Sequence, residues 1–242
     1  MKGVVRKSLI YKSGVEYADH ALSLYEGCGH SCRYCFCPLM KKIDRSRWGY
    51  ARPVANAIEL LVKELPKKKR KIKDILISFS GDPYQPMERR IGLTRRVLTI
   101  LVEQRVPFNI LTKSTLVRRD FDLIARSKGR FGLGMSLTTL DDNAKRYWEP
   151  YAPSTWDRMG VLRDAHSAGI RTWASVEPIL DGTFKEIVYR TCEFVDFYVF
   201  GKLNYFRPLK PIEWTKVREE IEEICKSLGL RYLIKKELRD KR

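Results

Sequence analysis

Residues 74–80, Asp-Ile-Leu-Ile-Ser-Phe-Ser, followed by Gly81-Asp82, read as a strand that ends in a loop of small and polar groups. The apolar character is nearly continuous rather than alternating, which is the pattern of a parallel strand covered on both faces. Val195–Gly201, Val-Asp-Phe-Tyr-Val-Phe-Gly, has the same character. Working outward, further strands are expected at His20–Tyr25, Pro107–Thr112, Phe131–Thr138 and Ile170–Val176. Stretches of helical period lie between them, at Val54–Leu65, Arg89–Gln104, Arg119–Ser127, Thr155–Ala168 and Thr183–Thr191. A last helix, about residues 212–228, is ended by Gly229, a C-terminal cap signal. This alternation means right-handed βαβ units, as an open doubly wound sheet or a curved, incomplete (β/α) barrel.

The residues just after the strands choose between the two. They are the cysteine loop, Ser80-Gly81-Asp82, Thr112-Lys113-Ser114, Thr138-Thr139, Glu177-Pro178 and Gly201-Lys202. All sit at carboxyl ends of strands, the edge where α/β folds bind ligands. Six successive edges converging on one site favour a partial (β/α)6 TIM-like barrel of parallel strands, because a doubly wound sheet focuses its ligand at one switch point. With no linker, repeat or low-complexity tract, residues 1–242 read as a single domain.

Lys and Arg number 47 against 29 Asp and Glu, a net charge of +18, which favours an anionic partner, nucleic acid first. A heat-adapted surface would also account for it. The run Lys67–Lys71 falls on the amino-terminal side of a strand, away from the expected site, and reads as a solvated connection. No apolar run approaches the roughly 18 residues of a membrane span. The opening MKGVVRKSLIYKSG lacks an apolar core and cleavage site, so a cytoplasmic location is expected.

Four of the six cysteines, Cys28, Cys32, Cys35 and Cys37, crowd into ten residues, while Cys192 and Cys225 stand apart and read as buried apolar residues on helices. Without a secretion signal, such clustering points to metal binding or redox chemistry. Cys28-x3-Cys32-x2-Cys35 can wrap three corners of a cubane iron–sulfur cluster, leaving one iron open. Electron-transfer clusters normally have every iron ligated by cysteine, so three ligands imply chemistry at the open iron. Cys37 could supply a fourth thiolate. Cys28, His30, Cys32 and Cys35 could instead hold zinc in a nucleic-acid-binding protein, although structural zinc motifs usually come as two separated pairs and there is no second pair here.

The cysteine spacing, with Tyr34 in an aromatic slot after a first strand, resembles the radical S-adenosylmethionine (SAM) enzymes. SLYEGCGHSCRYCFCP, SGDPYQPMERR, LTKSTLVRRDFDLI, SLTTLDDNAKRYWEPYAPS and AGIRTWASVEPIL are similar to the spore photoproduct lyase-like, "DNA repair photolyase" branch. The resemblance implies a [4Fe-4S] cluster on Cys28, Cys32 and Cys35, whose open iron chelates the amino and carboxylate groups of SAM. It places Tyr34 against the adenine and Ser80, Gly81 and Asp82 at the amino group. Lys113, Ser114, Ser136 and Thr138 fall at the carboxylate and ribose, and Glu177 in the pocket wall. It further implies reduction by a protein such as ferredoxin or flavodoxin, homolysis of a SAM C–S bond, and hydrogen abstraction by a 5′-deoxyadenosyl radical. A nucleic-acid substrate is expected, with a peptide or small metabolite as the alternative.

Two positions depart from the branch. Spore photoproduct lyases carry a hydrogen-donating cysteine near the end of the second strand and a tyrosine after the third cluster cysteine, where this chain has Phe79 and Phe36. That counts against repair of spore photoproduct itself and leaves Cys37 as a weak substitute donor. Trp148, Trp156, Trp173 and Trp214 read as packing, Asp141 as a helix cap, and Tyr84 and Glu88 as facing the substrate.

Overall fold

Each apolar run pairs with the next in line in the computed structural model, which describes residues 3–77 and 80–240. The strands are β1 (Tyr11–Lys12), β2 (His20–Leu22), β3 (Tyr25–Glu26), β4 (Arg52–Pro53) and β5 (Ile75–Ile77), then β6 (Phe108–Thr112), β7 (Leu133–Ser136), β8 (Thr172–Val176), β9 (Phe197–Phe200) and β10 (Tyr232–Ile234). Eight of them form one sheet in the order β1-β2-β5-β6-β7-β8-β9-β10, parallel from β2 onward, and β3 pairs with β4 in a separate ribbon. The order never reverses. Right-handed crossovers in one direction put every connecting helix on the same face, so the sheet curls into an incomplete barrel with no switch point.

The barrel expectation therefore holds, with a correction to its size. Tyr232–Ile234 adds a parallel strand beyond the six read from sequence. It is three residues long and hemmed by Arg231, Lys235 and Lys236, too short and too charged at its ends to stand out as an apolar run. The expected helix at Arg89–Gln104 is two, Glu88–Ile91 and Leu93–Glu103, broken where Gly92 takes a left-handed φ of 64°. Instead of a helix over Arg119–Ser127, a 3-10 turn at Thr115–Asp120 leads into a short helix at Phe121–Ile124. The C-terminal helix is Trp214–Ser227. Asp141 caps a helix at Asp142–Trp148, accepting from the amides of Asn143 and Ala144.

Strand periodicity divides the side chains between two faces. Ile75, Ile77, Ile110, Leu133, Met135, Ala174, Val176, Tyr198 and Phe200 pack outward with the helices in the main core. Ala21, Leu76, Leu111, Trp173, Val199 and Leu233 meet inside the barrel. Trp173 fills the lumen opposite Gly134, its partner in register, where any Cβ would lie 2.1 Å from the indole. A bulky lumen residue on one strand thus requires a glycine on the next.

The open seam is bridged by loop 13–19 between β1 and β2. Glu16 Oε1 accepts from the Lys236 amide at 2.8 Å, and Tyr17 sets its ring 5.3 Å from that of Trp173. Among the described residues, no helix is long and apolar enough to cross a membrane.

Candidate active site at the cysteine loop

The ribbon of β3 and β4 carries the cysteine loop. Gly27 turns the chain with φ 87°, and a Cβ there would lie 2.6 Å from the Trp48 carbonyl. That carbonyl accepts from the Cys28 amide at 2.9 Å, and the Trp148 carbonyl accepts from Arg33 at 2.8 Å. Gly29 donates to Gln85 Oε1 at 2.9 Å, while Arg45 donates to the carbonyls of Cys32 and Cys35 at 3.2 and 2.9 Å. The loop is thus pinned from three sides by groups distant in sequence.

Cys28, Cys32 and Cys35 open into one cavity of about 260 Å³ at the carboxyl ends of the barrel strands. Of the expected site residues, Tyr34, Gly81, Asp82, Lys113, Ser136 and Glu177 also line it, with Phe36 and Cys37 on the cysteine side. Three do not form its walls. Ser80 is buried with its amide on Ser23 Oγ at 3.0 Å, and Ser114 accepts from the Leu116 amide at 3.3 Å as the cap of the following turn. Thr138 is fully buried, and its hydroxyl has no hydrogen-bond partner among the described residues. Phe79 lies outside the described residues.

Tyr84 and Glu88 correct the expectation that they face a substrate. Both are fully buried, and Glu88 is consumed by the Tyr25 hydroxyl, the Thr94 amide at 3.0 Å and Arg119 at 2.6 Å. An apolar pocket around a carboxylate demands such partners. Cys37 is buried, and its thiol is hydrogen-bonded to that of Cys35.

Burial pushes the Cys28 thiol well above its ordinary range and raises Cys32 to about 12, partly offset by the Lys113 charge. Cys35 is raised by its bond to Cys37 and by burial. Such thiols become thiolates only when a cationic centre replaces the proton, as metal ligation does. Among the described residues no three His, Cys, Asp or Glu side chains gather closely enough to share one ion. A cubane takes one thiolate per iron at separate corners, and three thiols that open into one cavity suit it. The donor set fits the cluster.

Asp82 ties the loops together. Its carboxylate accepts from the Tyr84 amide at 2.8 Å, the Thr112 hydroxyl at 2.6 Å and the Lys113 amide at 2.7 Å, with His30 Nε2 at 3.4 Å. Burial acts to raise this carboxyl, but the His30 charge and these bonds outweigh it and hold it at about 2.

A second carboxylate, Glu149, was not legible in the sequence. It is fully buried, accepts from the Tyr34 hydroxyl and from Arg158 Nη2, and lies 3.8 Å from Lys113 Nζ. Arg158, fully buried as well, donates onward to the Ser136 carbonyl at 2.9 Å and the Pro153 carbonyl at 3.0 Å. Glu149 is held at about 2, burial being overcome by the Arg158 and Lys113 charges and the bonds from Arg158 and Tyr34. One carboxylate against two cations leaves a net positive charge beside the thiols. Three cavity residues, Tyr34, Lys113 and Ser136, are oriented through this one pair.

Asp82 and Glu149 set an acid limit. A carboxyl whose folded-state pKa is depressed contributes stability that is complete above its unfolded pKa and is lost as pH falls through the folded value. These groups should leave the urea midpoint unchanged from pH 7 to about 5 and lower it steeply from about pH 4 toward 2, the window between the ordinary carboxylate range and their folded values. Urea titrations at fixed pH values check this, and Asp82→Asn should flatten the dependence.

A one-way parallel barrel with three thiols and a cationic cradle at its carboxyl edge is the arrangement that the resemblance to radical SAM enzymes implies. The model of the radical SAM superfamily matches residues 22–195, and the chain belongs to that superfamily. Its enzymes use a [4Fe-4S] cluster and SAM and require a reductant. The uncharacterized protein MJ0683 of Methanocaldococcus jannaschii is 30% identical over 201 residues, covering 82% of this chain and 75% of that one. ORF301 of Acidianus two-tailed virus is 29% identical over 255 residues, covering 94% and 84%. Among solved structures, spore photoproduct lyase complexed with dinucleoside spore photoproduct superposes with a TM-score of 0.68 at 16% identity, over 96% of this chain and 81% of that chain. Streptococcus suis SuiB bound to SAM gives 0.66 at 16% identity, over 89% of this chain but only half of its own. At these identities the two structures speak for the fold.

Proposed function

We propose that Cys28, Cys32 and Cys35 hold the [4Fe-4S] cluster and that the enzyme abstracts hydrogen from a nucleic-acid substrate, in repair or modification. The observation that carries this reading is the opening of the three thiols, Tyr34 and Lys113 into a single cavity at the strand ends. When bound, the cluster and SAM supply reductive C–S cleavage and a 5′-deoxyadenosyl radical. The protein's part is to bind, orient and exclude water.

Lys113 presents an ammonium that Glu149 shares with Arg158 and does not neutralise, suited to the SAM carboxylate. Tyr34, fixed at its hydroxyl by Glu149 and tilted 45° against Trp148, offers a ring face to adenine. Ser136 and Ser175 offer hydroxyls to the ribose. Glu177, its charge met by Lys235 at 2.6 Å, walls the far side. At the mouth stand Phe36 and Tyr205, 39% and 77% exposed, with Lys202 and Asn204. Aromatic faces beside a cation suit a nucleobase and its phosphate, and the net charge of +18 points the same way.

The reading is tested on anaerobically reconstituted protein. With dithionite and SAM, chromatography should detect 5′-deoxyadenosine. Fluorescent single- and double-stranded oligonucleotides should bind with an affinity that falls steeply as salt rises. No binding at low salt would remove nucleic acid as the substrate and leave a peptide or small metabolite for the same radical chemistry.

A further inference from the structure

The cysteine loop lies between two hollows. Cys28 and His30 line the cavity already described, whereas Gly27 and Gly29 line a larger groove, of about 900 Å³. The two hollows share no lining residue. Alternate residues of a single strand of chain therefore face opposite sides. On the groove side the two glycines, with no side chains of their own, are backed by the Trp48–Ala51 backbone and by Gln85 and Pro86.

The groove is basic. Arg47, Arg52 and Arg90 are exposed on its rim against one carboxylate, Glu26, which is already paired with Arg52. Among the described residues, neither Arg47 nor Arg90 has a carboxylate within ion-pair distance. Tyr50 stands beside them, 82% exposed, an aromatic of the kind that anchors protein interfaces.

We infer that this groove docks an acidic, low-potential one-electron carrier protein of the ferredoxin type, and that the electron enters across the Gly27–Gly29 backbone. The inference rests on the proposed cluster. Electron tunnelling through protein weakens steeply with distance, so a carrier must approach close to the residues that would ligate the cluster. The groove reaches both neighbours of Cys28, Gly27 and Gly29, and its surplus of arginine matches an acidic partner. A nucleic acid is also anionic, but its reacting carbon must enter the cavity past Phe36 and Tyr205. Substrate on that side leaves the groove free, so reduction can proceed with substrate bound. The step itself is electron transfer alone: the carrier is oxidised by one electron and the bound cluster reduced by one, with no bond made or broken.

The test uses the reconstituted protein and a reduced [2Fe-2S] ferredoxin. Labelled ferredoxin reports binding, and stopped-flow bleaching of the [4Fe-4S] absorbance reports reduction. Arg47→Glu/Arg90→Glu should weaken binding and slow ferredoxin-driven reduction at least tenfold, while reduction by dithionite keeps its rate. Arg47→Gln/Arg90→Gln should give a smaller loss of the same kind. Lys67→Glu/Arg70→Glu, with the same charge change on the amino-terminal side of β5, should behave as wild type. Unchanged ferredoxin kinetics in the charge-reversed groove would overturn the inference, as would an equal loss in the Lys67/Arg70 control. Loss of oligonucleotide binding with ferredoxin unaffected would assign the groove to nucleic acid instead. Failure of the wild type to hold a cluster would count against the proposed function, not the surface.

Discussion

Cys32→Ala is expected to reduce iron content, visible absorbance and 5′-deoxyadenosine formation to background, with little change in the melting temperature of the apoprotein. The reason is the division of labour among the thiols. In a cubane each thiolate holds its own iron, so removing one ligand exposes a second iron and lets the cluster disassemble. Cys32 is half-buried and contributes to no hydrophobic cluster, so its loss costs the fold little. Cys192→Ser is the matched control. Cys192 ends the helix Phe184–Thr191, donates to the Tyr189 carbonyl at 3.4 Å and lines no part of the cavity. It should retain cluster and product. A Cys32→Ala protein that kept full iron would mean Cys37 had replaced it or that the ligand assignment is wrong, and the double variant Cys32→Ala/Cys37→Ala separates the two.

What was legible in the sequence is what local pattern encodes. Ile75–Ile77 and Phe197–Phe200 announce parallel strands because burial on both faces removes polar residues from the run. The cysteine triplet announces itself because ligand spacing is local. What was hidden depends on partners far along the chain. Tyr11–Lys12 is a strand only because it pairs with His20–Ala21, and two residues carry no period. Ser114 and Thr138 follow strands as ligand-binding hydroxyls should, yet one is turned to cap a helix and the other into the interior, a choice that side-chain rotation makes. Glu149 meets Tyr34 from 115 residues away, and nothing around either position signals the contact.

That contact makes Glu149→Ala the substitution with the largest expected cost to stability. It leaves the Arg158 guanidinium fully buried with its carboxylate gone. Breaking one side of a buried pair costs about 3–5 kcal/mol, since the remaining charge cannot be solvated. For a chain of this size each kcal/mol moves the melting temperature by about 2–4 °C, so a fall of roughly 6–20 °C is expected in a thermal melt. Glu149→Leu/Arg158→Met should recover much of that loss, because apolar residues of similar volume often replace a buried pair without penalty. It should not recover SAM binding. Lys113 would face the cavity without its counter-charge and Tyr34 without its hydroxyl partner, so the affinity for SAM, read by isothermal titration, should stay at least tenfold weaker than wild type. Stability and ligand affinity restored together would mean the pair serves packing alone. Stability restored without affinity would show that Glu149 positions Tyr34 and Lys113 for the cofactor, a function separable from the one it performs in the fold.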